Sequence, residues 1–141
     1  MTEKILVPLD LSHAGAKVLD TAVEMAERRG AELVLMTVLP TIPAIVDSFM
    51  ESDYQEKAAR NARTALEARL EEKGLAKDGY EILIKHGTPH DKVIKCAKDI
   101  GASLIVVASQ APSTVGDYLL GSTSAKIVRH ASCSVFVVRN G

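Results

Sequence analysis

Short apolar runs alternate with stretches of helical periodicity along this chain, and that alternation limits its fold more than any other feature. Ile5-Leu6-Val7, Leu33 to Val38, Leu104 to Val107 and Val135 to Val138 have the length and β-branched character of buried strands. Tyr80, Ile82 and Ile84 alternate with Glu81, Leu83 and Lys85, as in a strand nearer a sheet edge. Between these runs the period changes. Leu19, Ala22, Val23 and Ala26 follow the i, i+3, i+4, i+7 rule, with Ser12 as a candidate N-cap and Gly30 as a stop. An amphipathic stretch from about Ser52 to Lys73 ends at Gly74. Thr88, Pro89 and Asp91 mark the start of a third helix, whose apolar face is Val93, Cys96, Ala97 and Ile100 and whose stop is Gly101. A last helix opens at Gly121-Ser122-Thr123.

Five strands separated by four helices predict right-handed βαβ crossovers. The expected architecture is α/β: an open, largely parallel five-stranded sheet with helices on both faces. No repeat or linker divides the chain, so one domain over residues 1–141 is expected.

The formal net charge of −1 gives no electrostatic reason to expect a nucleic-acid or membrane partner. No apolar run approaches the roughly 20 residues that span a bilayer. The N-terminus enters a strand directly, without the layout of a signal peptide, and a cytoplasmic protein is the expectation. Cys96 falls on an apolar helix face and reads as a small buried hydrophobe; Cys133 precedes the last strand. Their separation carries no metal-ligand spacing.

The segment from Ser103 to Arg139 carries the clearest chemical signal. A buried strand, the small-residue loop Ala108-Ser109-Gln110-Ala111, and a helix opened by Gly121-Ser122-Thr123 make a candidate phosphate cradle. Free N–H groups in a first helical turn and the positive end of the helix dipole attract an anion. In open α/β sheets, ligands gather at the carboxyl ends of strands where strand order reverses. If the first and fourth strands are neighbours, Pro8-Leu9-Asp10 faces the 108–111 loop across one crevice. Asp10 then either accepts hydrogen bonds from a ribose or amino group, or supports the dipole of the helix that follows it. The connection from Pro40 to about Glu51 carries Ile42, Ile45, Val46, Phe49 and Met50, and either covers a ligand, joins a partner surface, or folds onto its own core.

Catalytic signatures are lacking. There is no Gly-Lys-Ser/Thr P-loop, no Gly-x-Ser-x-Gly elbow and no His-Glu metal motif. The histidines at 13, 86, 90 and 130 are scattered.

Over essentially its whole length the chain resembles the universal stress protein family, a Rossmann-like fold. Ile5 to Asp10 looks like the family's first strand with its ligand-facing aspartate, and Leu35-Met36-Thr37-Val38 like its second strand. Gly87-Thr88-Pro89 looks like the start of its third helix. Leu119 to Ser122, through Val128-Arg129-His130-Ala131 to Val135-Phe136-Val137-Val138, looks like its C-terminal signature. ATP-binding members carry a glycine, two residues, a glycine, nine residues, then glycine followed by serine or threonine. Counting back from Gly121-Ser122, the first two glycine positions hold Ala108 and Ala111, so the spacing is kept and the early glycines are replaced.

The resemblance implies an adenine-nucleotide (ATP or AMP) binding module of stress response or signalling, with Mg2+ as an optional companion and at most slow ATP hydrolysis or phosphate transfer to Ser122. By position, Pro8 and Asp10 would line the adenosine side, and Val38 would offer its backbone to adenine. Ala108 and Ala111 would border the ribose and phosphates, while Gly121, Ser122 and Thr123 would present N–H groups or hydroxyls. The family also implies a homodimer through the last strand, Ser134 to Val138. The two alanines favour an alternative: a dimeric interaction protein of the same fold that binds no nucleotide and acts through the 40–51 segment.

Overall fold

The structure, a computed structural model, describes residues 2–9, 15–41, 53–75, 77–109 and 120–139. Its strands are β1 (Lys4–Pro8), β2 (Glu32–Leu39), β3 (Tyr80–His86), β4 (Leu104–Ala108) and β5 (Ser134–Val138). Its helices are α1 (Gly15–Arg29), α2 (Tyr54–Glu72), α3 (Pro89–Ile100) and α4 (Ser122–His130), with a 3-10 turn at Lys77–Gly79. The strands form one parallel sheet in the order β3-β2-β1-β4-β5. Ile5 sits opposite Leu33 on one side and Leu104 on the other.

The apolar pattern of the central strands fits that order. β1 and β4 are apolar on both faces, because both faces are covered. Ile5, Val7, Leu33, Leu35, Leu104 and Val106 point into a core shared with α1 and α2, where Leu19, Leu66 and Leu70 meet them. Leu6, Val34, Met36, Ile105 and Val107 point the other way, against Val93 and Cys96 of α3 and Ile127 of α4. A strand in this sheet therefore feeds two cores with one residue period. The β3 strand lies at the edge, as its alternation predicts.

The helix stops fall where glycines predict them. Gly101 ends α3 in the left-handed region (φ 68), and its N–H closes onto the carbonyls of Ala97 and Lys98. Thr88 occupies the N-cap of α3 with extended backbone, and Pro89 opens the helix, but the Thr88 hydroxyl makes no cap hydrogen bond. Ser12, the candidate cap of α1, lies outside the described residues. No described helix is long and apolar enough to cross a membrane.

The order of connection sets up the functional geometry. From β1 the chain moves outward through β2 to β3, then crosses back to β4 on the other side of β1. The reversal opens a crevice at the carboxyl ends of β1 and β4.

Candidate functional site

A cavity of about 260 Å3 occupies that crevice. Pro8 and Leu9 at the end of β1, Met36 and Val38 of β2, and Val107 and Ala108 of β4 supply its sheet side. Pro89 and Val93 of α3 form one wall, and Thr123, Ser124 and Ile127 of α4 form the other. Two strand-end carbonyls at this crevice are each held by a buried hydroxyl from a neighbouring element. Thr37 donates to the carbonyl of Leu9 at 3.0 Å, and Ser124 donates to that of Ala108 at 2.6 Å. The Leu9 N–H donates in turn to the carbonyl of Met36 at 2.8 Å.

The chain leaves the sheet after Ser109 and returns to the same place. The N–H of Gly121 donates to the carbonyl of Ser109 at 2.7 Å, and the N–H of Ser109 donates to the carbonyl of Val138 in β5 at 2.9 Å. The start and the end of the 108–121 spacing are thus adjacent in space. Ala108 is the last residue of β4, paired with Val138. Its backbone is that of a strand, so the methyl group replacing glycine there meets no left-handed conformation.

Gly121 is the N-cap of α4 (φ −59, ψ 155), and no side chain caps the first turn. The donors of that turn are left for solvent or a ligand, at the positive end of the helix dipole. Among the described residues, no ionisable side chain lines the cavity. Any attraction for an anion there arises from backbone N–H groups and hydroxyls. No group of three or more potential metal ligands exists among the described residues.

Of the residues singled out from the sequence, Pro8, Val38, Ala108 and Thr123 line this one cavity. Gly121 and Ser122 stand at the start of α4, the first anchored to Ser109 and the second exposed. Asp10 and Ala111 lie outside the described residues, as does the segment 42–52. Sequence reasoning did not single out Thr37 and Ser124. Thr37 carried a signal, being the polar residue inside the apolar run Leu33 to Val38. Ser124 sits in a Ser-Thr-Ser run whose members differ only in which way they face. Pro89 and Val93 join the site through the packing of α3, which no local pattern announces.

Neither free cysteine borders this cavity. Burial pushes the thiols of Cys96 and Cys133 up, so both stay protonated at neutral pH.

The model of the Universal stress protein family matches residues 1–139. Universal stress protein YxiE of Bacillus subtilis is 31% identical over 151 aligned positions, covering 99% of this chain and 100% of that protein. The structure of universal stress protein UspA from Lactobacillus plantarum superposes with a TM-score of 0.81 at 27% identity, covering 97% of each chain. A universal stress protein crystallised in complex with cAMP superposes with a TM-score of 0.67 at 25% identity, covering 96% of this chain and 95% of that one. This chain belongs to the universal stress protein family.

Proposed function

We propose that this protein is an adenine-nucleotide-binding module of stress response or signalling, holding ATP or AMP in the crevice between β1 and β4. The observation that carries the reading is the coincidence of the cavity with the strand-order reversal and with the uncapped N-terminus of α4. The cavity lies near the lower limit of small-molecule sites, roughly 300 Å3. A nucleoside body suits such a space, with its phosphates directed toward the first turn of α4. The apolar surfaces of Val38, Met36 and Val93 suit the faces of a base, and the structure with cAMP offers a relative's adenine nucleotide as precedent. No carboxylate lines the cavity among the described residues, so Mg2+ would arrive coordinated by the nucleotide's own phosphates. Binding, with at most slow hydrolysis, is the role these residues support.

The module works as a homodimer through β5. The two sheet edges differ in how they are guarded. On β3, the Arg63 guanidinium donates to the free carbonyl of Ile82 at 3.0 Å, and Glu81 and Lys85 stand exposed. The β5 edge carries Val135, Phe136 and Val137, with Phe136 exposing 44% of its surface. An edge blunted by charge resists pairing, whereas an apolar one invites a second copy.

The test of the nucleotide reading begins with protein purified without added nucleotide, denatured, and checked for released small molecules by mass spectrometry. An adenine nucleotide in stoichiometric amount supports the reading. A protein that releases none and gives no calorimetric signal with ATP, AMP or cAMP sinks it.

A further inference from the structure

A second cavity, of about 330 Å3, lies outside the crevice, between α3 and the β3 edge. The packing of the two layers creates it. The α2 helix covers one face of β3, and α3 on the other face sits over β2 and β1. Leu83 is therefore only half-buried, and with Met36, Cys96 and Ile100 it forms an apolar floor.

The charges around that floor are sorted by position. A helix that returns the chain between two parallel strands runs antiparallel to them, so the first turn of α3 lies beside the carboxyl end of β3. Lys85 and Lys92 consequently share one end of the cavity, and Glu81 and Asp99 share the other. Lys95 stands between them and is already paired with Asp99 at 2.7 Å. Lys85 and Lys92 have no hydrogen-bond or ion-pair partner among the described residues. The stem of Lys92 crosses Gly87, where a Cβ would come within 2.7 Å of the Lys92 Cε, and Gly87 has a φ of +135. A glycine in a conformation that other residues rarely adopt thus makes room for the lysine stem.

We propose that this cavity binds a small organic anion, its charged head between Lys85 and Lys92 and its compact apolar body on Leu83, Met36, Cys96 and Ile100. Two unpaired ammonium groups beside an apolar floor favour a ligand with both characters, and the volume favours a compact molecule over a polymer. Carboxylates and phosphate esters share the required chemistry. Among the described residues the site shares Met36 alone with the nucleotide crevice, and its anion-binding end at Lys85 and Lys92 does not rest on the nucleotide reading.

The experiment is a titration of the isotopically labelled full chain followed by backbone amide NMR, using benzoate, phenyl phosphate and uncharged benzamide as probes. At least one anion should give saturable shifts at Leu83, Lys85, Lys92 and Cys96 while leaving Ala108 and Thr123 unmoved. Benzamide should bind at least about tenfold more weakly, equivalent to about 1.4 kcal/mol. The anion that saturates identifies the head group. The double variant Lys85→Gln with Lys92→Gln should lose saturation and keep the rest of its spectrum. As a second readout in the unaltered protein, the bound anion should slow alkylation of Cys96 and leave that of Cys133 unchanged. Equal binding of benzamide, shifts that never saturate for either anion, or binding that survives in the double variant would overturn the proposal.

Discussion

The Ser124 hydroxyl donates to the carbonyl of Ala108 at 2.6 Å, tying the first turn of α4 to the end of β4 from within the core. Through this bond and the one from Gly121 to Ser109, the helix that faces the crevice is held to the strand that floors it. The substitution Ser124→Ala leaves a buried carbonyl without this donor. The expected cost is about 1–3 kcal/mol of stability, read as a lower denaturation midpoint. The same variant should bind ATP more weakly, because the first turn is no longer held against β4. Unchanged stability in Ser124→Ala would show that the bond contributes nothing net.

Gly121 offers a test in which stability and affinity move in opposite directions. Its φ of −59 is open to any residue, so Gly121→Asp should fold. A carboxylate at the N-cap accepts from the free N–H groups and complements the dipole, adding a few tenths to about 1 kcal/mol. It also occupies and repels the place assigned to phosphate. Calorimetry should show ATP affinity falling by at least about tenfold, while the thermal midpoint stays level or rises. Unchanged affinity would move the phosphates elsewhere.

At the β5 edge, Phe136→Asp places a charge on the apolar strip proposed to meet a second copy. Sedimentation should report a dimer for the unaltered protein and monomers for the variant, with the circular dichroism of the fold retained. At the other edge, Arg63→Ala uncovers the Ile82 carbonyl, and a loss of about 1 kcal/mol is expected without a change in dimerisation. A Phe136→Asp variant that still dimerises would place the interface on another surface.

The buried thiol of Cys96 and the half-buried thiol of Cys133 give stability a pH dependence of defined sign. Burial raises the thiols of Cys96 and Cys133 above the ordinary value of 9.0. The folded state therefore holds these protons more tightly than the unfolded chain. Their contribution is complete below the unfolded value and is lost as pH rises through the folded one. Chemical denaturation should show no cysteine-linked change through neutral pH and a decline above about pH 9. In Cys96→Ala that alkaline decline should be shallower; an identical slope would assign it to other groups.

Much of the fold was legible because local pattern and tertiary position agree. The apolar runs at 5–7 and 104–107 are continuous because both faces of β1 and β4 are buried, and Gly30, Gly74 and Gly101 stop helices where the periodicity ends. The spacing from Ala108 to Gly121 came from the family resemblance and not from local pattern, and its two ends meet through the Ser109 carbonyl. Other features lay beyond local pattern. Thr88 has the composition of a cap and the backbone of one, yet its hydroxyl makes no cap bond. Which hydroxyl of the Ser122-Thr123-Ser124 run turns inward depends on how α4 rotates against β4. Pro89, Val93 and the lysine end of the α3–β3 cavity come together only once the third crossover is packed.

Titration of nucleotide-stripped protein with ATP by isothermal calorimetry tests the central claim most directly. The account predicts saturable binding near one nucleotide per chain with a micromolar dissociation constant, weakened in Gly121→Asp. A folded protein that gives no binding heat at millimolar ATP, AMP or cAMP would contradict it.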